Sequence, residues 1–354
     1  MVTLLLVFLS SFPVGLSLAY LLRKKVGFSS LLILSAGFGP VVYGILLYWL
    51  LLVLPGQTSA FYLGALAIPM LIVSVFSARY WINRDTYKPL FELPTRKPLA
   101  IVMLVVVALS WLSFQNQTAF NTYFKSYIER PIVGGDFTGY VVEGEIYYRD
   151  KSLEAKYDKL DDVSGYASFS NHMPVFALLH TLDRMIVDVS GETRVANKEL
   201  LIRLVSPIYA VLTVLLLLWT LSHVSATLAM VTVFGFVSGW VFVQSVTLYH
   251  IDMIRIYFVL YSFVVMCWLL YDNKLKHLSN NHFFIFILLL SSSLHTLNFV
   301  ISLGAILIIL RYARKEFTSR KCALSYGISF FVMGWHYLID IFNGNSQVVA
   351  WIIR

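Results

Sequence analysis

The chain has 354 residues, of which 58% are hydrophobic and 13% charged; with a mean hydropathy of +0.76, that is too apolar for an ordinary soluble globular protein. Its two cysteines, Cys267 and Cys322, both lie in or beside apolar runs, which excludes a disulfide framework or a thiolate metal cluster. The net charge of +8 collects in short basic segments between apolar runs, where the positive-inside rule accounts for it, so no nucleic-acid partner is expected.

Residues 2–22 predict a first membrane span, followed at once by Arg23-Lys24-Lys25. A signal peptide carries its charge before the apolar core and ends in small residues; the reverse order here predicts an uncleaved span with its N-terminus outside. A second span is expected at 29–54, with Gly39-Pro40 as a kink, and a third at 60–78. The next segment, 79–97, carries Arg79, Arg84, Lys88, Arg96 and Lys97 against Asp85 and Glu92, and a fourth span follows at 98–114. Two spans separate the basic clusters at 23–25 and 79–97, so both fall on the cytoplasmic side, and 115–199 is extracytoplasmic.

Further spans are expected at 200–219, 224–247 and 251–271, then a small basic loop at 274–277. The apolar run 283–310 ends in Arg311, Arg314, Lys315, Arg320 and Lys321. Two short helices turning at Ser293-Leu294-His295-Thr296 would keep that cluster inside. A last span is expected at 322–341. The predicted fold class is an all-α polytopic membrane protein of about ten transmembrane helices with one large extracytoplasmic loop. Residues 1–97 form an N-terminal three-span bundle, and 98–354 form the membrane core that includes the loop 115–199.

No cytoplasmic loop exceeds about 20 residues, too short for a folded nucleotide-binding domain. No P-loop or GxGxxG pattern is present. Chemistry is therefore expected in the outer loop or the cavity beneath it, on a substrate that arrives attached to lipid. Ionisable residues near a membrane are costly, which makes them candidates for function. His250 and Asp252 fall at the outer end of a predicted span, with Arg255 one turn deeper. His295 falls at the proposed outer turn, Arg203 one turn into the span after the loop, and His336 and Asp340 share a helix face at i, i+4. All are expected at the same face as Asp136.

The strings Gly135-Asp136-Phe137-Thr138-Gly139-Tyr140, Asn171-His172-Met173-Pro174-Val175-Phe176 and His250-Ile251-Asp252-Met253 occur in that order. Together they resemble the GT-C superfamily of membrane glycosyltransferases, of the protein-mannosyltransferase and aminoarabinose-transferase kind. Those enzymes transfer a sugar from a polyprenyl-phosphate carrier on the extracytoplasmic face, using an essential Asp in the first large outer loop. The resemblance covers about 98–311. It gives Asp136 the part of that Asp, sets Asp252-Met253 at the acidic-Met pair that opens a later span, and sets His295, in Leu294-His295-Thr296-Leu297-Asn298, where relatives place a Lys. Only one of the family's two prolines is kept, at Pro174.

What the resemblance implies is a lipid-linked sugar donor, a glycan, glycolipid or protein acceptor, and an integral protein of a plasma membrane of the bacterial kind. Asp136 would act as general base on the acceptor hydroxyl, or hold a divalent cation such as Mg²⁺ or Mn²⁺; the plain structural reading is an Asp in a Gly-rich turn. His172, His250, Asp252, Arg255 and His295 are the candidates for substrate contacts, with Arg suited to bidentate anion binding. Asp252 and Arg255 are equally a neutral i, i+3 pair at a helix end. Arg149, Lys151, Lys156 and Lys159, interleaved with Tyr147, Tyr148 and Tyr157, read as a solvated helix face or as a juxtamembrane helix that steers an anionic phosphate. The alternatives in function are a surface-polysaccharide polymerase or ligase, which would rely on loop Arg and His, and a transporter or flippase, which would carry charges near the bilayer midplane.

Overall fold

The computed structural model describes residues 36–82, 136–153, 175–191, 200–222, 224–239 and 252–271, with Pro13 and Phe242 besides. Among them there are seven helices and no strand: α1 (Phe38–Val53), α2 (Ser59–Ile82), α3 (Asp136–Asp150), α4 (Val175–Ser190), α5 (Leu200–Ser222), α6 (Ala226–Ser238) and α7 (Asp252–Tyr271). The expected all-helical class holds for these residues. The spans predicted at 29–54, 224–247, 283–310 and 322–341 lie wholly or partly outside them, as do the first and fourth.

One stretch among the described residues, Ser59–Ser77, is long and apolar enough by itself to cross a membrane, with a mean hydropathy of 2.0. Its packing is inverted relative to a soluble helix. α2 buries Ser59, Tyr62, Leu66, Ser74 and Ser77, while Ile68, Leu71, Ile72, Val75 and Phe76 are exposed. The exposed set recurs at i, i+3, i+4, i+7 and i+8, a continuous apolar stripe facing outward. Pro69 sits inside α2. Gly39-Pro40, expected to kink a span, instead lies in the first turn of α1, where a missing N–H leaves no helical bond unmade.

α4 is the hub of the described structure: it packs on α1, α2, α3 and α5, and its contact with α3 is the most extensive. Every residue from Val175 to Asp183 is buried. Two glycines permit the close approach. A Cβ on Gly44 of α1 would lie 2.7 Å from the Val175 side chain, and one on Gly144 of α3 would lie 2.4 Å from the Ala177 carbonyl oxygen. The Thr181 hydroxyl donates to the Gly144 carbonyl at 2.9 Å, and Tyr140 meets Phe176 edge-on with centroids 5.1 Å apart.

These contacts fix the direction of the helices. The start of α4 lies beside Gly44, in the first half of α1. The turn that ends α1 is tied to the far ends of α3 and α4: the Gly56 N–H donates to the Lys151 carbonyl at 2.9 Å, and the Ser59 hydroxyl donates to Asp188 Oδ2 at 2.5 Å. α1, α3 and α4 therefore rise in the same sense and α2 returns. The segment 115–199, expected to form a loop standing on the bundle, contributes two packed bundle helices in its described part. Asp136 and the connection at 54–58 were expected at one face; the length of α3, roughly 21 Å at 1.5 Å per residue, separates them.

The other half of the core is aromatic. The Tyr209 hydroxyl of α5 donates to the Gly37 carbonyl, just before α1. Tyr209 and Tyr257 of α7 lie with centroids 5.4 Å apart, and Phe38 meets Phe258 and Tyr261 edge-on at 5.2 and 5.5 Å. α5 and α6 form a tight hairpin, with the Ser225 hydroxyl capping α6 by accepting from the Leu228 N–H at 3.3 Å.

Candidate functional site

Two of the expected site residues open helices. Asp136 is the first residue of α3 and Asp252 the first of α7, positions where an acidic residue complements the helix dipole. Arg255 Nη2 lies 3.0 Å from Asp252 Oδ1, and both side chains are about a third exposed. This is the neutralised i, i+3 pair anticipated at a helix end. Arg203 falls in the first turn of α5. His172, His250 and His295 lie outside the described residues, as do His336, Asp340, Lys156 and Lys159.

Asp136 and the Asp252–Arg255 pair belong to the same end of α1. Asp136 precedes, by one turn, Tyr140, which packs on Phe176 next to the Val175–Gly44 contact. Asp252 is five residues, roughly 7.5 Å of helix, from Tyr257, whose ring fills the space a Cβ on Gly37 would need. No three His, Cys, Asp or Glu side chains converge on a possible metal position among the described residues.

Nearer the opposite end lies a charged network that the sequence reading did not single out as a site. Glu145 of α3 is its centre. Its Oε1 accepts from Arg149 Nε at 3.2 Å, and its Oε2 accepts from His180 Nε2 at 3.4 Å. Arg184 Nε is 3.1 Å from the same Oε2 but is not aligned for a hydrogen bond, so that contact is one of charge. The His180 hydrogen bond, with Arg184 and Arg149, holds the Glu145 carboxyl down at about 2, against the opposing effect of burial. One turn further, Lys151 Nζ donates to Ser59 Oγ at 3.0 Å and lies 3.7 Å over the Tyr148 ring. Burial lowers the Lys151 pKa from its ordinary value. Arg149 is on an exposed face, but Lys151 is engaged in packing and Tyr147 is fully buried, donating to Glu143 Oε1 at 2.6 Å. The described part of that stretch is thus neither a bare solvated face nor a row of free cations.

The signal for this network was legible as spacing: His180, Arg184 and Asp188 recur at i, i+4 and i+8 on α4. It carries a pH prediction. A carboxyl held low when folded contributes stability that is present above its ordinary value of 4.5 and is lost as pH falls towards about 2. Acid unfolding of the detergent-solubilised protein, followed by circular dichroism, is expected to include that step in the wild type and to lose it in Glu145→Gln.

No family model matches the chain, and no curated protein or solved structure shows significant similarity to it.

Proposed function

We propose that the chain is an integral membrane glycosyltransferase of the GT-C type, moving a hexosyl or pentosyl unit from a polyprenyl-phosphate donor to an acceptor hydroxyl at the extracytoplasmic face. The observation that carries this reading is the ordered set of strings around Asp136, His172 and Asp252. Asp136 and Asp252 open helices near the start of α1, opposite the 54–58 connection, so the reading requires the start of α1 to face outward, the reverse of the side assigned to it from the basic clusters. The outward apolar stripe of α2, with serines turned inward, supports the membrane setting.

In this reading the acceptor O–H gives its proton to the Asp136 carboxylate as the oxygen bonds to the anomeric carbon. The bond from that carbon to the phosphate oxygen breaks, and polyprenyl phosphate departs. A phosphate leaving group needs little protonation, so one carboxylate suffices. Arg255, held by Asp252, offers charge to the departing phosphate. His172, His250 and His295 are the remaining candidate contacts to sugar or phosphate. The acceptor is a glycan, glycolipid or protein.

One observation favours a second reading. The Glu145–His180–Arg184 network lies between packed helices, as ionisable groups do in a transporter or flippase. The two readings separate in nanodiscs loaded with polyprenyl-phosphate sugars and free acceptor. Release of polyprenyl phosphate with a glycosylated product is the result expected of a transferase. Movement of intact donor between leaflets without bond breaking would overturn it in favour of transport.

A further inference from the structure

The far end of the bundle, where α3 and α4 finish and α2 begins, carries charge inside an apolar rim. The Ser59 hydroxyl joins the three elements, accepting from Lys151 Nζ at 3.0 Å and donating to Asp188 Oδ2 at 2.5 Å. Asp188 is exposed, and so is Arg149, whose side chain is 72% exposed and is held at Nε by Glu145. Around them Val53, Leu54, Phe61 and Val189 are all exposed. Lys151 ties that rim to the charges, because its carbonyl accepts from the Gly56 N–H in the turn between Leu54 and Phe61. Apolar side chains clustered in the open mark an interaction surface. Set around paired charges, they suit the headgroup level of a bilayer, where apolar bodies and charged tips are both satisfied.

From Phe61 the outward stripe of α2 continues through Ile68 and Ile72, at i, i+7 and i+11. It is notched between the first two: a Cβ on Gly64 would meet nothing nearer than the tip of Ile68, at 4.0 Å. From Phe61 to Ile72 the helix rises roughly 16 Å, close to the ~15 Å of hydrocarbon in one leaflet. We propose that this end of the bundle binds one aminophospholipid: Arg149, with Lys151 two residues on, takes the phosphate, Asp188 takes the ammonium, and one acyl chain lies along α2 over the Gly64 notch. The charge balance selects the headgroup. Among the described residues here, Arg149, Lys151 and Arg184 stand against Glu145, Asp150 and Asp188, so a lipid of net negative charge has no excess of cations to meet. A headgroup with one charge of each sign finds a partner for both. Ethanolamine is preferred to choline because its N–H groups donate to the Asp188 carboxylate, which a quaternary ammonium does not do. The inference rests on the membrane setting of α2 and not on sugar transfer.

Native mass spectrometry of the full-length protein tests it, on release from nanodiscs of phosphatidylethanolamine, phosphatidylcholine and phosphatidylglycerol in equal parts with matched acyl chains. Incorporation into the discs reports the membrane setting by itself, and the retained lipid reports the site. The wild type is expected to keep one phosphatidylethanolamine, preferred roughly tenfold over either other lipid, as one charged hydrogen bond allows. Asp188→Asn should bring that preference over phosphatidylcholine to near parity, and Arg149→Gln should weaken retention of all three lipids. Gly64→Leu fills the notch and should release the lipid as well. Arg149 is exposed, so its variant serves if another does not fold. Glycerophosphoethanolamine, which has the headgroup without the chains, should not displace the lipid. Retention of the three lipids in bulk proportion overturns the proposal. So does a preference for phosphatidylglycerol, displacement by glycerophosphoethanolamine, or a preference for phosphatidylethanolamine that persists in Asp188→Asn.

Discussion

Asp136→Asn is expected to reduce sugar transfer by roughly 10²–10⁴-fold, the usual contribution of a positioned general base, while the protein is still made and inserted. The substitution keeps size and polarity and removes the basic oxygen. Its structural cost is small: the residue opens α3, where losing one negative charge forfeits about 0.3–1 kcal/mol of dipole interaction. Thermal unfolding in detergent should therefore move by only a few degrees. Asp136→Glu, which retains the base but displaces it by a methylene, should recover part of the rate. Loss of activity together with loss of folded protein would instead mark Asp136 as a helix-start residue.

Gly144→Ala is expected to destabilise the protein by about 1–3 kcal/mol through overpacking. The new Cβ would meet a backbone oxygen, that of Ala177, at 2.4 Å. A carbonyl in the middle of α4 cannot swing aside as a side chain can, so α3 and α4 must part, straining the Thr181–Gly144 hydrogen bond. Alanine's better helix propensity, about 1 kcal/mol, works in the other direction and is outweighed. Gly235 of α6 is the control. A Cβ there meets nothing within 4 Å, so Gly235→Ala should be neutral or stabilise by up to about 1 kcal/mol. Unfolding of both variants in mixed micelles measures the contrast, and equal effects would contradict the close approach of α3 and α4.

The helices of the bundle were legible where composition alone decides. The runs behind α1, α2, α5 and α7 are predominantly apolar, with charges only in their first or last turns, so hydropathy finds them. α3 was not legible because its sequence, DFTGYVVEGEIYYRD, mixes Gly, acids and aromatics with little amphipathic order. Its burial comes from long-range fits that leave no local trace: Gly144 against Ala177, Tyr140 against Phe176. For the same reason the segment 115–199 read as a loop. The pairing of Asp252 with Arg255 was foreseeable because i, i+3 neighbours meet on any helix. Glu145 as the meeting point of His180 and Arg184 was not, since it joins residues more than thirty positions apart.

Mass spectrometry of surface glycans and glycolipids in three strains tests the transferase reading most directly: wild type, deletion, and deletion complemented with Asp136→Asn. The account predicts that the deletion and the Asn-complemented strain both lack one defined sugar unit that the wild type carries. A wild-type profile restored by Asp136→Asn would contradict the role given to that carboxylate. A collapse in chain length would point to a polymerase, and identical glycans in all three strains would contradict glycosyl transfer altogether.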